Sequence, residues 1–584
     1  MSDLPAWGAV PLDGTRTRFR LWAPGIDTLG LRLPAGDVPM SAAGDGWFEF
    51  ETEAPEGTPY NFVLPDGMVV PDPASRRQES DVHGPSLVTA APKVATWPGR
   101  PWEEAVIYEL HVGTFSDQGT FQGAIEHLAP LKDLGVTAIE LMPVAHFPGS
   151  RGWGYDGVLT YAPHPAYGSP DDLRALVEAA HRLGMMVLLD VVYNHFGPDG
   201  NYLHAYAPSF FDEDRHTPWG AGIDYARLPV RRFFIENAIY WLEAFGLDGL
   251  RLDAVDQIRD ASDPELLVEI AREIRARVTD RPIHLTTEDN RNVTHLHWRT
   301  EDGSVPLFTA EWNDDFHNAA HVCATGETEG YYGDFARGHW DLLARSLAEG
   351  FAYQGEATLE GAQRGEPSGH LPPAAFVDFL QNHDQIGNRA FGERLSALTS
   401  ESMMEAMTAI LLLSPHIPLM FMGDEYGETR PFCFFTDFEG ELGRAVTEGR
   451  RREFADFAAF ASGDTSQVPD PIDRATFLAS TLDRSRRETP EGRARLDLTR
   501  RLLQIRSERI VPLLGGARGH AGRVLLVRDG ALAVDWQLGG AVLQLRANLS
   551  ETPCDLPAPE GTEIHSIGGL GAPHSVQHWL REAS

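Results

Sequence analysis

From about residue 105 onward the chain alternates short apolar runs with amphipathic stretches of helical period. That rhythm belongs to a parallel sheet whose strands are joined by crossover helices. The runs are VIYELHV at 106–112, VTAIELMPV at 136–144, MMVLLDVVYN at 185–194, LDGLRLDAV at 247–255, IHLTTED at 283–289, PLFTAEW at 306–312, FVDFLQN at 376–382 and IPLMFMG at 417–423. Helices are clearest at 170–184, with Asp at its start and Gly at its stop, and at 230–246. Eight such units also suit an open doubly wound sheet, but that fold announces itself with a Gly-rich phosphate loop after its first strand. Here the first run leads into HVGTFS. The expectation is therefore an α/β chain with a closed (β/α)₈ barrel over 105–505, larger by its insertions than the roughly 250 residues of a plain barrel.

The flanks read differently. Residues 1–95 carry RFRLWAP at 18–24, GWFEFE at 46–51 and YNFVLPDG at 60–67, separated by turns and without a helical stretch, which predicts a small immunoglobulin-like β-sandwich. A Pro-rich segment at 91–102 reads as the linker to the barrel. After Ile505 the short strands return, at 523–530, 531–540 and 542–550, so a second all-β domain is expected over 506–584.

Composition narrows the partners. With 85 acidic against 49 basic residues the formal net charge is −36, a field that repels nucleic acid and anionic membrane and favours a neutral substrate. The three cysteines, Cys323, Cys433 and Cys554, are far apart and without CxxC spacing, so free thiols are expected and neither zinc nor redox chemistry. No apolar stretch approaches the roughly 18 residues of a membrane span, and the first residues, MSDLPAWGAV, lack the basic start and apolar run of a signal peptide. A cytoplasmic protein is the expectation, with no nucleic-acid or membrane partner and no cofactor.

In a (β/α)₈ barrel the reactive groups project from the C-terminal ends of the strands. Strand three ends in Asp190, Asn194 and His195, strand four in Arg251 and Asp253, strand five in Glu288 and Asp289, and strand seven in Asn382, His383 and Asp384. Single residues of these types are ordinarily turn or cap residues. Their recurrence at the ends of several strands instead gathers carboxylates, a histidine and an arginine in one mouth, the set that glycoside hydrolysis requires. Strand periodicity places Arg251 on the same face as Asp253, where the cation would hold the carboxylate ionised. Glu288 should be pushed the other way by the charges of Asp253 and Asp384.

DVVYNH at 190–195, GLRLDAV at 249–255, the Glu288 strand and FLQNHDQ at 379–385 resemble, in order and spacing, the four signature regions of the α-amylase superfamily. The resemblance implies Asp253 as nucleophile, Glu288 as acid/base and Asp384 as transition-state stabiliser. It also implies that Arg251, His195 and His383 hydrogen-bond the glucose at the cleavage site, and that Tyr155 of GWGYD stacks on its ring. Within the superfamily the whole chain is most similar to the family of maltooligosyltrehalose trehalohydrolases, through RFRLWAP, DGMVVPDPASR, VIYELHVGTF, HFPGSRGWGYDG, TPWG, EWNDDFHNAAHV, GYYGDF, FLQNHDQIGNR and FMGDEYGETRPF. That similarity implies cleavage of the α-1,4 bond beside the terminal trehalose of maltooligosyltrehalose, with related α-glucans as the wider substrate class.

One departure from the wider superfamily bears on specificity. Many α-amylases carry Lys-His where this chain has Asp256 and Gln257; those side chains usually meet the sugars of the leaving side, so endo-action on long starch is disfavoured and trehalose in that place agrees with the change. Asn194 aligns with a calcium ligand of many α-amylases, but the other ligands are not identifiable in the sequence. No metal is expected, and Asn194 is assigned to orienting its loop. Trp153, Trp219 and Trp312 are candidate sugar platforms, since an aromatic ring suits the apolar face of glucose. Two alternatives remain. A branching or debranching enzyme shares the sandwich and the trio but acts at α-1,6 bonds. A catalytically silent glucan-binding protein would ordinarily have lost one of the three carboxylates, all of which stand here.

Overall fold

The computed structural model describes residues 4–90, 94–217, 220–454 and 466–582. All eight predicted runs become strands of one closed parallel barrel: β1 (Ile107–Leu110), β2 (Ala138–Leu141), β3 (Met186–Val191), β4 (Gly249–Leu252), β5 (His284–Thr287), β6 (Ala310–Trp312), β7 (Phe376–Phe379) and β8 (Ile417–Phe421), with β8 paired back onto β1. Every residue of these strands is buried. That is why they read as continuous apolar runs instead of alternating ones: helices cover the outside and side chains fill the inside.

The helix after the β2 excursion runs Pro170–Arg182. Its start is fixed by a capping box between Ser169 and Asp172, so the cap is the serine before the proline and the aspartates lie in the first turn. The helix between β3 and β4, Leu228–Phe245, ends at Gly246 in the left-handed region (φ 72°), where a glycine carries no penalty.

The N-terminal residues form two facing antiparallel sheets. One is ordered Val10–Pro11, Arg16–Trp22, Trp47–Glu53, Ser41–Gly44; the other joins Gly36–Pro39, Gly30–Leu33, Pro59–Val63 and Val69–Val70, with Ser86–Leu87 beside Pro59–Val63. This sandwich packs against the barrel. Trp7 is fully buried among Trp22, Trp47, Phe210 and Phe233 and donates its indole N–H to the Pro229 carbonyl (2.9 Å). The Glu236 carboxylate accepts the backbone N–H of Ala6 (2.9 Å).

The Pro-rich stretch is anchored to the barrel. Trp97 stacks on His181 and donates to Asp248 (2.6 Å), and Trp102 is buried with its N–H on the Ala374 carbonyl. At the other end a five-stranded antiparallel sheet contains the three expected strands (Gly522–Arg528, Ala531–Leu538, Ala541–Asn548) and two more, Thr562–Ile567 and Ser575–Glu582. The last of these has the alternation of a strand only in part, and the turn-rich stretch before it hid the pair. Cys323, Cys433 and Cys554 are free, and no helix among the described residues is long and apolar enough to cross a membrane.

Replacing Trp7 by alanine is expected to lower the unfolding free energy by about 3–5 kcal/mol, as for other buried tryptophans, since the indole is the joint between sandwich and barrel. Urea unfolding followed by circular dichroism checks it; a change below about 1 kcal/mol would show that the two parts are held together elsewhere.

Candidate active site

The mouth is organised by one guanidinium. Arg251 lies in β4 with its side chain 1% exposed, and its two terminal nitrogens reach three carboxylates: Nη1 donates to Asp190 (2.7 Å) and Asp253 (2.8 Å), Nη2 to Glu288 (2.6 Å). Its face lies over the Trp312 ring at 4.2 Å. Asp190 is closed off, whereas Asp253 and Glu288 keep side chains 13% and 17% exposed, so these are the two carboxylates a substrate can reach. Asn194 donates to both the side chain (3.0 Å) and the backbone carbonyl (2.9 Å) of Asp253. It therefore orients the carboxylate itself, where the sequence assigned it to its loop.

The backbone after Asp253 turns sharply. Ala254 adopts φ 41°, a left-handed conformation that costs a residue with a Cβ on the order of 1–2 kcal/mol. The turn aims its N–H at the Glu288 carboxyl (3.1 Å) and brings Val255 N–H onto the Glu288 carbonyl (2.9 Å). The ends of β4 and β5 are thus locked together through the two residues that would share the chemistry.

On the opposite side Tyr155 donates its hydroxyl proton to Asp190 (2.6 Å), so its oxygen accepts from His383 Nε2–H (2.8 Å); the two rings stack at 5.1 Å. His383 Nδ1 meets the Glu109 carboxylate of β1, which also accepts the His383 backbone N–H (3.1 Å). Burial disfavours a charged His383 ring, but Glu109 outweighs it and holds His383 above its ordinary value. His195 takes the other course: burial lowers it to about 4, with Nε2 against the Tyr155 carbonyl (3.0 Å) and Nδ1 against the Asn194 side-chain oxygen. Tyr155 is presented by a loop whose Gly154 (φ 101°) would place a Cβ 2.0 Å from the Pro143 carbonyl oxygen, so only glycine fits there.

Burial pushes the Glu288 carboxyl up; Arg251 opposes it and Asp253 reinforces it. The direction is the one expected from sequence, but desolvation is the leading cause. Asp190 is pushed to about 7 by burial, against Arg251 and with Asp253. Asp384, at the start of the helical turn after β7, is raised by burial, against His383 and with Glu288. It accepts a hydrogen bond from the Asn388 amide (2.6 Å).

Two of the three tryptophans need correction. Trp312 is 2% exposed and forms the floor under Arg251, and Trp153 is 6% exposed, stacked on Phe432 and edge-on to His383. Neither offers an open ring to a sugar: Trp312 belongs to the buried barrel cluster with Leu188, Ala310 and Phe379, and Trp153 lies against Phe432 and Phe434. Trp219 lies outside the described residues. Asp256 and Gln257 occupy a 3₁₀ turn after β4 and bond to each other (2.5 Å).

Several site residues escaped the sequence reading. Glu109 sits in the middle of β1, and a charged residue inside a fully buried strand was the signal that could have found it. Asp314 opens the helix Asp314–Thr325 after β6, and burial together with the Glu288 and Asp384 charges pushes its carboxyl up. Asn388 was concealed one helical turn past Asp384.

Residues 107–216 match the alpha amylase catalytic domain family, and 519–578 match a domain of unknown function, DUF3459. The chain is 44% identical to the malto-oligosyltrehalose trehalohydrolase of Deinococcus radiodurans, over 97% of this chain and 95% of that one. It is 41% identical to the enzyme of the same name from Saccharolobus solfataricus, over 81% and 82%. A crystal structure of a putative alpha amylase from Salmonella typhimurium superposes with a TM-score of 0.96 at 54% identity, covering all of both chains.

Arg251→Gln is expected to cost about 3–5 kcal/mol of stability, the penalty for leaving buried carboxylates without their shared cation, read by denaturant titration. The elevated Glu288 sets a second expectation. A proton donor is charged and inactive above its pKa, so kcat/KM should fall on the alkaline side at a pH above the ordinary carboxyl range. A pH–rate profile checks this, and an alkaline limb near pH 4 would remove Glu288 as the donor.

Proposed function

The chain belongs to the family of malto-oligosyltrehalose trehalohydrolases, glycoside hydrolases of the α-amylase superfamily, and we propose that it cleaves the α-1,4 bond beside the terminal trehalose of maltooligosyltrehalose with retention of configuration. The observation that carries the mechanism is the shared guanidinium. Asp253 and Glu288 both bond Arg251, through adjacent nitrogens. That closeness suits the separation of about 5 Å at which a carboxylate attacks directly; the wider spacing of an inverting pair would leave room for a water.

Asp253, bonded to Arg251 and aimed by Asn194, attacks the anomeric carbon of the glucose on the glucan side. Glu288, whose proton burial retains, gives that proton to the glycosidic oxygen, and trehalose departs. Glu288, now a carboxylate, takes a proton from water, and the hydroxide attacks the glycosyl-enzyme carbon, displacing Asp253 and regenerating both groups. Positive charge develops on the sugar ring in each transition state, and Asp384 supplies the compensating carboxylate. Tyr155, held by Asp190 and His383, is the ring that backs the sugar, and His195, Arg251 and His383 lie where its hydroxyls would be bound. Asp256 and Gln257, bonded to each other, stand where many α-amylases carry a cationic pair, which supports a leaving unit other than maltose.

The test is incubation with maltotriosyltrehalose beside maltopentaose, with product separation. Free trehalose and maltotriose in the α configuration are expected, with clear preference for the capped substrate; equal rates on both, or a β product, would overturn the reading. Asp253→Ala and Glu288→Gln should each lower kcat by three or more orders of magnitude, as loss of a reacting group does, with unchanged circular dichroism.

A further inference from the structure

The chain carries a formal charge of −36, yet arginines crowd one open pocket of about 530 Å³, where the segments following β1 and β8 meet the helix Pro490–Ile505. His127, Arg484, Arg487 and Arg493 stand on its walls beside Leu496. Its two acids have cations of their own: Glu488 pairs with Arg493 (3.4 Å) and Asp497 with Arg500 (2.7 Å). Arg486 donates to the Gly427 carbonyl. Arg484 and Arg487 are left with no ion pair or hydrogen bond among the described residues.

Local structure brings these two together. They lie three apart in the 3₁₀ turn Arg484–Glu488, where side chains at that spacing eclipse. Aromatic rings hold both: Arg484 lies over Phe115 of the turn after β1 (4.6 Å), and Arg487 over Tyr426 of the turn after β8 (5.7 Å). Phe115 also meets His127 edge-on (5.7 Å). A guanidinium laid on a ring keeps its N–H edge free in a fixed plane. Arg484 Nη2 is enclosed by protein and faces no acceptor, so compensation for this charge has to come from the side that faces the pocket. The arrangement is unfavourable for the bare protein on two further counts. The two cations repel each other, and with Arg493 they crowd a helix N-terminus, the end at which cations are disfavoured. Nor are they direct partners of the buried Glu425 behind Tyr426, which accepts instead from Tyr108 (3.0 Å) and the Gly423 N–H (3.1 Å).

We propose that this pocket is an anion site for a phosphoryl dianion, carried by a phosphate monoester such as a sugar phosphate or by free phosphate. One dianion offsets both unpaired arginines at once, and its tetrahedral oxygens accept from two planar N–H forks, the geometry for which arginine is suited. His127, lowered by burial and by the Arg484 and Arg487 charges, stands across from them as a further polar group of the wall. The volume leaves room for a small organic group beyond the phosphoryl. Elsewhere the acidic chain repels anions, so this pocket is where one is drawn. None of these residues belongs to the catalytic mouth, and the assignment stands whatever glucan the mouth cleaves.

The experiment is titration calorimetry of the full chain at fixed ionic strength with inorganic phosphate, with glucose 6-phosphate and with glucose, the last reporting any binding in the mouth. At least one phosphate should bind with a dissociation constant of about 1 mM or tighter, and the tighter of the two names the source. Arg484→Gln and Arg487→Gln should each weaken it by about 10-fold or more, the range of one hydrogen bond to a charged group. Arg444→Gln, at an exposed arginine outside the pocket, should leave it unchanged. Wild type that binds neither phosphate up to about 10 mM, that binds glucose as well as glucose 6-phosphate, or whose phosphate binding survives in both glutamine variants overturns the assignment. Should either variant misfold by circular dichroism, the thermal midpoint of wild type decides. A rise with phosphate that sodium chloride of equal ionic strength does not give supports the site, and the same rise with chloride overturns it.

Discussion

One buried guanidinium sets the terms for everything else in the mouth. Arg251 is a permanent cation with no route to neutrality, and desolvating it is affordable only if anions and hydrogen bonds surround it. Asp190, Asp253 and Glu288 supply these, and the Trp312 face supplies the fourth side. The dependence is mutual. At an effective dielectric of about 20, each contact at about 4 Å between charges is worth roughly 4 kcal/mol. Burial works the other way and raises Glu288 and Asp190 in spite of the cation. The protonation of these acids is therefore set by the balance of the two effects and not by contact with the cation alone. A lysine would offer its three donors from a single point, without the planar fork whose two nitrogens are spread here over three carboxylates.

The same arrangement explains which parts of the protein could be read from its letters. The eight strands were legible because a strand buried on both faces must be apolar throughout, and the polar residues that interrupt it at one end must face the mouth. Asp253, Glu288, His195 and His383 were found by that rule. The rule is silent on direction within the strand ends. Trp153 and Trp312 satisfy every compositional criterion of a sugar platform, yet both rings are packed into the interior. Glu109 was missed for the converse reason, since it lies inside a strand where only a buried partner justifies a charge, and that partner, His383, is 274 residues away. Asp314 was disguised by its position in the first turn of a helix, where an acid has an ordinary structural use.

Distant parts of the chain reach the site through a small number of polar links, most of them buried. Arg506, in the helical segment that follows the barrel, donates to the carbonyls of Ser414 and His416 (both 2.6 Å). His416 in turn bonds Asp378 (2.7 Å), and Asp378 accepts from Asn313. A second path starts in the C-terminal sheet, where the Trp536 indole donates to the Leu347 carbonyl (2.7 Å), while Trp340 of the same helix, His339–Glu349, donates to Asp529 (3.0 Å). That helix carries Ser346, and the residue after it is Gly350, both of which hold Asn313.

The two paths converge on the residue immediately before Asp314, which gives the C-terminal sheet a part in the site without a single residue in it. Most links are buried polar groups, and moving one leaves a donor or acceptor unpaired at about 1–3 kcal/mol each. The cost of ordering the β6 end is met by folding, in residues as far along the chain as Trp536. The all-β domain is on this view a buttress for that end of the barrel.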